Sequence, residues 1–219
     1  MRSPGTLRKM IKQFPVRERI QNARLYDIYQ SRYKMEDGWH PGNKTANYKH
    51  LIRISEYTGV PLAGASCLDV GCGSGDFSEF LISRGVKKYV GIDIYEPSLS
   101  KAREKYPGRD FRNLDLLTGA LNEKFDFVFA SGTFTVKLSI NNYDFLESML
   151  HQMWERTRYG FAFNVLTDED PDPDSDLFFY SPKKAVEICH AIDSEATVIC
   201  QDTTADYQIH IYMYKQSNG

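Results

Sequence analysis

No stretch of this 219-residue chain is apolar for long enough to cross a bilayer, which takes about 20 such residues. The basic opening, "MRSPGTLRKMIKQFPVRERI", lacks the unbroken apolar core of a secretory signal. No C-x-x-C pair occurs among Cys67, Cys72, Cys189 and Cys200, so a zinc knuckle or thiol-exchange motif is excluded. The four read as small buried side chains, with neither metal nor disulfide. No internal repeat is present. What remains is a cytoplasmic globular chain, with length for one domain and an ordinary 42% apolar and 26% charged composition.

Net charge is also scarce, at −2, but it is unevenly spread. Residues 1–34 carry nine Lys or Arg against Glu18 and Asp27, or +7, which leaves −9 for the rest. Such an arm can meet an anionic substrate or nucleic acid, or simply be the solvated face of a helix.

Pro4, Gly5 and Pro15 break up the first 15 residues. From Val16 to Lys34, Ile20, Leu25, Ile28 and Tyr26, Tyr29 and Tyr33 recur at helical spacing. "EDGWHPGNK" reads as a loop, and a second helix is expected over Thr45–Tyr57. Residues 1–63 thus form an arm and helical cap, and residues 64–219 a core. In the core, "ASCLDV", "KYVGIDI", "DFRNLDL", "FDFVFAS" and "GFAFNVLT" read as strands. Helical "DFSEFLISRG", "PSLSKAREKYP" and "YDFLESMLHQMWERTR" intervene. That alternation predicts an α/β fold, a mostly parallel sheet with helices on both faces. "TVICQ" and "YQIHIYMYK" are two late strands whose short link, "DTTAD", forces an antiparallel pairing.

In such sheets ligands bind beyond the carboxyl ends of the strands. The first strand runs into "DVGCGSG", where Gly71, Gly73 and Gly75 let the backbone turn and approach a ligand closely. The spacing is G-x-G-x-G, not the G-x-G-x-x-G of dinucleotide sites. Asp69, just before it, would repel a pyrophosphate but suits a cationic amine. Asp93, closing "YVGIDI", can accept both hydroxyls of a ribose. Asp115, closing "NLDL", can accept from the exocyclic amine of adenine while the Leu116 amide donates to a ring nitrogen.

"LDVGCGSG", "GIDI", "NLDL" and "FDFVFASGTF", in that order, resemble the motif series of the class I S-adenosylmethionine-dependent methyltransferases over residues 64–214. The resemblance implies a Rossmann-like, seven-stranded sheet with an antiparallel last strand, and S-adenosylmethionine as cofactor. It places Gly71, Cys72, Gly73 and Gly75 along the methionine portion and ribose, and Asp69 near the methionine amine. Asp93 would hold the ribose, Ile94 pack on adenine, Asp115 and Leu116 read adenine, and Ser131 border the methionine tail. "DGWHPGNK" and "FAFNVLT" look more like a small-molecule branch than a nucleic-acid one. The D-P-P-Y turn of DNA amino-methyltransferases and the nucleophilic cysteine of cytosine-carbon methyltransferases have no counterpart after the fourth strand.

Methyl transfer from a sulfonium is an in-line displacement that needs alignment and exclusion of water. Tyr33, Trp39 and Phe134 are candidates to steady the sulfonium by cation–π contact, and His40 is the candidate base. "TDEDPDPDSDLFF" holds six acids, Asp168, Glu169, Asp170, Asp172, Asp174 and Asp176. Counted from Asp170, an EF-hand loop would need glycine and glutamate where Ser175 and Ser181 stand, so calcium is rejected. The segment from Asp168 to Phe179 is instead a candidate lid beside the acceptor, with Trp39 as a further substrate contact, or else a solvated loop. Its acidity disfavours nucleic acid. The expected activity is methyl transfer to oxygen or nitrogen of a small-molecule acceptor. The alternatives are an RNA or protein methyltransferase that uses the basic arm, and a non-catalytic nucleotide-binding or scaffold protein of the same fold.

Overall fold

The computed structural model describes residues 19, 20, 24, 41–167, 177–203 and 208–216. Strands β1 (Ser66–Val70), β2 (Lys88–Asp93), β3 (Asp110–Asn113), β4 (Phe125–Ala130) and β5 (Thr157–Thr167) pair in parallel. With β7 (Thr197–Thr203) and β8 (Gln208–Tyr214) the order is β3-β2-β1-β4-β5-β8-β7. As expected from "DTTAD", β8 is antiparallel to β7, and it is antiparallel to β5 as well. An eighth strand unforeseen in the sequence, β6 (Phe179–Tyr180), pairs with the end of β5 off this path.

Helices α1 (Pro41–Leu51), α2 (Ile54–Thr58), α3 (Asp76–Ile82) and α4 (Glu96–Lys105) cover one face, where Leu51, Ile54, Phe77, Leu81 and Leu99 pack on Cys67, Phe127, Phe129 and Tyr212. Helices α5 (Asn142–Arg156) and α6 (Pro182–Ile192) cover the other, with Leu146, Leu150, Met153, Ala185 and Cys189 on Leu68, Val128, Phe161, Phe163 and Ile211. Period-two alternation assigns the strand residues to faces, so β5 sends Phe161, Phe163 and Val165 to one side and Ala162 to the other. Asn164 lies between Phe163 and Val165 and so belongs to the α1 side.

Several expectations need correction. Pro41–Asn43, read as loop, are helical, and the helix expected over Thr45–Tyr57 is two. It breaks at Arg53, whose N–H bonds to the His50 carbonyl at 3.0 Å, three residues back rather than four. Branched Ile52 and Ile54 and Ser55 are weak helix formers there. Asp115 does not close a strand: β3 ends at Asn113 and Asp115 starts a turn. Helix α6 was not anticipated. Cys200 is exposed, whereas Cys67, Cys72 and Cys189 are buried as expected. Among the described residues no helix is long and apolar enough to cross a membrane.

Candidate active site

A cleft opens at the carboxyl ends of β1, β2 and β4. Its lining includes Asp69, Gly71, Cys72, Gly73, Asp93, Ile94, Asp115, Leu116, Ser131 and Phe134, nearly all of the proposed cofactor set. The parallel strands β1 and β4, neighbours in the sheet though not in the chain, flank it because β4 follows the crossover from β3 and lands beside β1. This is the switch point at which an open α/β sheet leaves room between its loops.

The glycines divide by role. Gly73 has φ +52°, and a β-carbon built there would meet nothing within 4 Å. Its backbone therefore faces open space in the cleft. Gly75 is absent from the lining; it caps α3 at φ +81°, and a β-carbon there would come within 2.5 Å of Phe111. Close packing of helix on sheet explains it.

The carboxylates differ. Asp69 is 1% exposed and accepts a 2.8 Å hydrogen bond from the Tyr89 hydroxyl. Burial raises its carboxyl from 3.8 to about 7; the Tyr89 bond opposes this, while the negative charges of Asp93 and Asp76 add to it. Burial therefore favours the neutral, protonated form of this acid. Asp93 accepts from the Gly73 N–H and the Tyr95 N–H, both at 2.9 Å, which ties the glycine loop to the end of β2. Asp115 accepts from Leu117 N–H, from the Thr118 hydroxyl and from both terminal nitrogens of Arg19, at 2.6 and 2.7 Å. Burial pushes its carboxyl up, but these donors outweigh burial and hold it below the usual range. Arg19, 5% exposed and also in the lining, was not singled out in the sequence; a lone cation in a basic arm carries no signal of its own.

Asp76, another residue the motif reading passed over, holds α1 to the glycine loop. It receives Lys44, Lys105 at 2.7 Å, the Tyr106 hydroxyl at 2.8 Å and the Ser74 hydroxyl at 3.0 Å. Burial raises its carboxyl, but these donors prevail and bring it down to about 2. Phe134 is 1% exposed and packs edge-on against Phe145 and Phe163. Phe179 is half-buried on β6 and does not line the cleft. Tyr33, Trp39, His40 and Asp168 lie outside the described residues.

A twisted, mostly parallel sheet closed by an antiparallel hairpin, with a glycine loop after the first strand, defines the class I methyltransferase fold. Residues 67–160 match a family described as "Methyltransferase domain". Trans-aconitate 2-methyltransferase of Rhizobium rhizogenes is 38% identical over 77 residues, 34% of this chain and 30% of that protein. The matched region thus spans under a third of the length of that curated relative. Among solved structures, magnesium protoporphyrin IX methyltransferase from Synechocystis PCC 6803, with bound SAM, superposes at a TM-score of 0.63 with 16% identity, covering 81% of both chains. The N-methyltransferase NodS from Bradyrhizobium japonicum WM9, in complex with S-adenosyl-L-homocysteine, gives 0.63 at 17% identity over 87% of this chain and 97% of its own. Residues 67–160 thus resemble a methyltransferase domain, and the chain shares the fold of these solved methyltransferases.

Proposed function

We propose that the protein transfers the methyl group of S-adenosylmethionine to oxygen or nitrogen of a small molecule. The observation that carries this reading is the row of three carboxylates in one cleft, Asp69 and Asp93 at the ends of adjacent strands and Asp115 in the turn after β3, around an open glycine loop. The residues fit the cofactor. The space over Gly73 admits a ligand against the backbone, and the buried Asp69 carboxyl suits an ammonium group. Bound there, the cofactor supplies an activated methyl on a positive sulfur.

The chain's own residues bind and align. Asp69 takes the cationic amine, Asp93 the ribose hydroxyls, and Ile94 and Leu116 pack against adenine. Because the leaving group departs as a neutral thioether, transfer needs orientation and dryness more than covalent help. Lys44, Asn47 and Tyr48 of α1 line the same cleft, which supports a part for this helix in excluding water. Residues 1–63 would then act as cap and residues 64–219 as catalytic core, with Phe134 steadying the sulfonium and the acidic segment bordering the acceptor. Methyl acceptors among the matched proteins' names include aconitate and magnesium protoporphyrin IX, which supports a small-molecule acceptor here. A cytoplasmic setting suits the four free thiols.

Calorimetric titration with S-adenosylhomocysteine, followed by label transfer from methyl-labelled S-adenosylmethionine across acid, amine and phenol acceptors, tests the reading. Saturable binding and labelling of one acceptor class are expected. Failure to bind either cofactor form overturns it. Binding without transfer to any acceptor, or salt-sensitive transfer to RNA, would favour the scaffold or RNA readings instead.

A further inference from the structure

Beneath the cleft, on the face covered by α1, lies a run of buried polar side chains that the cofactor motifs do not account for. Asn47, Asn164, Gln208 and His210 are each 5% exposed or less. His210 Nε2 lies 2.5 Å from Asn47 Oδ1, and Asn47 Nδ2 donates to Ser131 Oγ at 2.8 Å. Beside this, Asn164 Nδ2 donates to Gln208 Oε1, and Asn164 Oδ1 accepts from the Gly132 N–H, both at 2.9 Å. The two chains converge on Ser131 and Gly132, the pair at the cleft end of β4.

The first chain has a direction. Burial, and then the neighbouring His50 whose ring stacks on it at 4.8 Å, hold His210 down to about 3, so it is neutral. A neutral imidazole facing an amide oxygen must carry its proton on Nε2. His210 therefore donates to Asn47, Asn47 donates to Ser131, and the Ser131 oxygen is used as an acceptor. Its own O–H is left to point into the cleft, where Ser131 is part of the lining. A hydroxyl placed so wants an acceptor atom in a ligand.

The sheet order says which atom. Ribose belongs at Asp93, at the end of β2; β1 with Asp69 comes next, and β4 with Ser131 next again. An adenosyl ligand with its ribose at β2 and its ammonium at β1 lays the far end of its amino-acid tail over β4. We propose that Asn47, oriented by His210, is a positioning residue that turns the Ser131 hydroxyl into a donor to the carboxylate of the cofactor's methionine tail. This rests on the cofactor reading above and adds the means by which the tail is recognised.

The test compares two ligands, S-adenosylhomocysteine, which has the tail, and 5′-methylthioadenosine, which lacks it. In Asn47→Asp the new carboxylate accepts from both His210 and Ser131 and pulls the hydroxyl away from the cleft. Affinity for S-adenosylhomocysteine should fall roughly tenfold or more, the size of one charge-assisted hydrogen bond, while 5′-methylthioadenosine binds as to wild type. Ser131→Ala should show the same split, and Ser131→Thr, which keeps the hydroxyl, should restore the wild-type ratio. His210→Gln, which can still donate to Asn47, should lie closer to wild type than His210→Leu. A merely structural role would weaken both ligands together. Equal loss for both, or no loss for Ser131→Ala, overturns the proposal. Failure of wild type to bind either ligand overturns instead the cofactor reading on which it stands.

Discussion

Tyr89 reaches across from β2 to place its hydroxyl 2.8 Å from the carboxylate of Asp69 on β1. The reach depends on Gly91, where a β-carbon would come within 2.7 Å of that hydroxyl. An apolar-looking strand thus carries the partner of the first motif acid. Tyr89 is itself buried, and burial pushes its phenol well above the usual range, so it remains a donor.

This pair makes ligand binding depend on pH. With its carboxyl raised from 3.8 to about 7, folded Asp69 keeps a proton that the unfolded chain has already released. Its contribution to stability is therefore greatest at low pH and declines as pH rises from about 4 to 7. An ammonium ligand needs the ionised form, so affinity for S-adenosylhomocysteine should rise with pH up to about 7 and then level off. Near pH 6.5, a value taken just below that midpoint, binding should release a proton, seen as a calorimetric heat that varies with the ionisation enthalpy of the buffer (about half a proton or more). Asp69→Asn should bind more weakly and lose the buffer dependence. A wild-type heat independent of buffer would refute the coupling.

Asp93 is anchored by two backbone N–H groups, so its position does not depend on the ligand. Asp93→Ala should weaken S-adenosylmethionine binding by about 2–3 kcal/mol, as expected for bonds to a charged acceptor. Unchanged affinity in a folded variant, by titration calorimetry, would remove the ribose assignment.

Two glycines of one motif should behave differently. Gly73→Val puts methyl groups into the open cleft, and should abolish cofactor binding while leaving the circular dichroism spectrum near that of wild type. Its left-handed backbone adds a cost of about 1–2 kcal/mol. Gly75→Ala drives a carbon into Phe111 and should instead lower Tm. A ligand-induced rise in Tm that persists in Gly73→Val contradicts the backbone contact.

Arg19 and Asp115 form a bidentate pair with side chains 5% and 11% exposed. Arg19→Met keeps the stem and removes the charge, and should cost about 2 kcal/mol of stability at pH 7. Asp115 has its carboxyl held below the usual range, so its contribution exists above the ordinary value of 3.8 and disappears as pH falls through the lower folded value. The urea midpoints of wild type and Arg19→Met should accordingly converge in acid. A gap that stays constant with pH would show that the Arg19–Asp115 ion pair is not the source of the stabilisation.

The parts that were legible in the sequence are those written in adjacent residues. "LDVGCGSG" carries its own turn, and alternation of β and α segments places Asp69, Asp93 and Ser131 at strand ends without further information. Local patterns do not report what a distant residue supplies. Arg19 meets Asp115 across 96 positions and His210 meets Asn47 across 163, and neither pairing leaves a periodic trace. Asp76 was hidden for the same reason, since its partners Lys44 and Lys105 come from different helices. The short β6 has two residues, too few for any alternation to show.

β8 has a consequence in time as well as in space. It follows β7 in the chain, yet it is inserted between β5 and β7 and brings His210 beneath the cleft. While the chain emerges from the ribosome, β1 to β5 can pair in order and form the glycine loop, but the support under α1 is missing. Asn47 and Asn164, which bond Ser131 and Gly132, gain their partners His210 and Gln208 only when β8 joins the sheet. A nascent chain stalled before Gln208 would have the glycine loop in place without the polar support beneath it, so maturation of the cleft waits for β8.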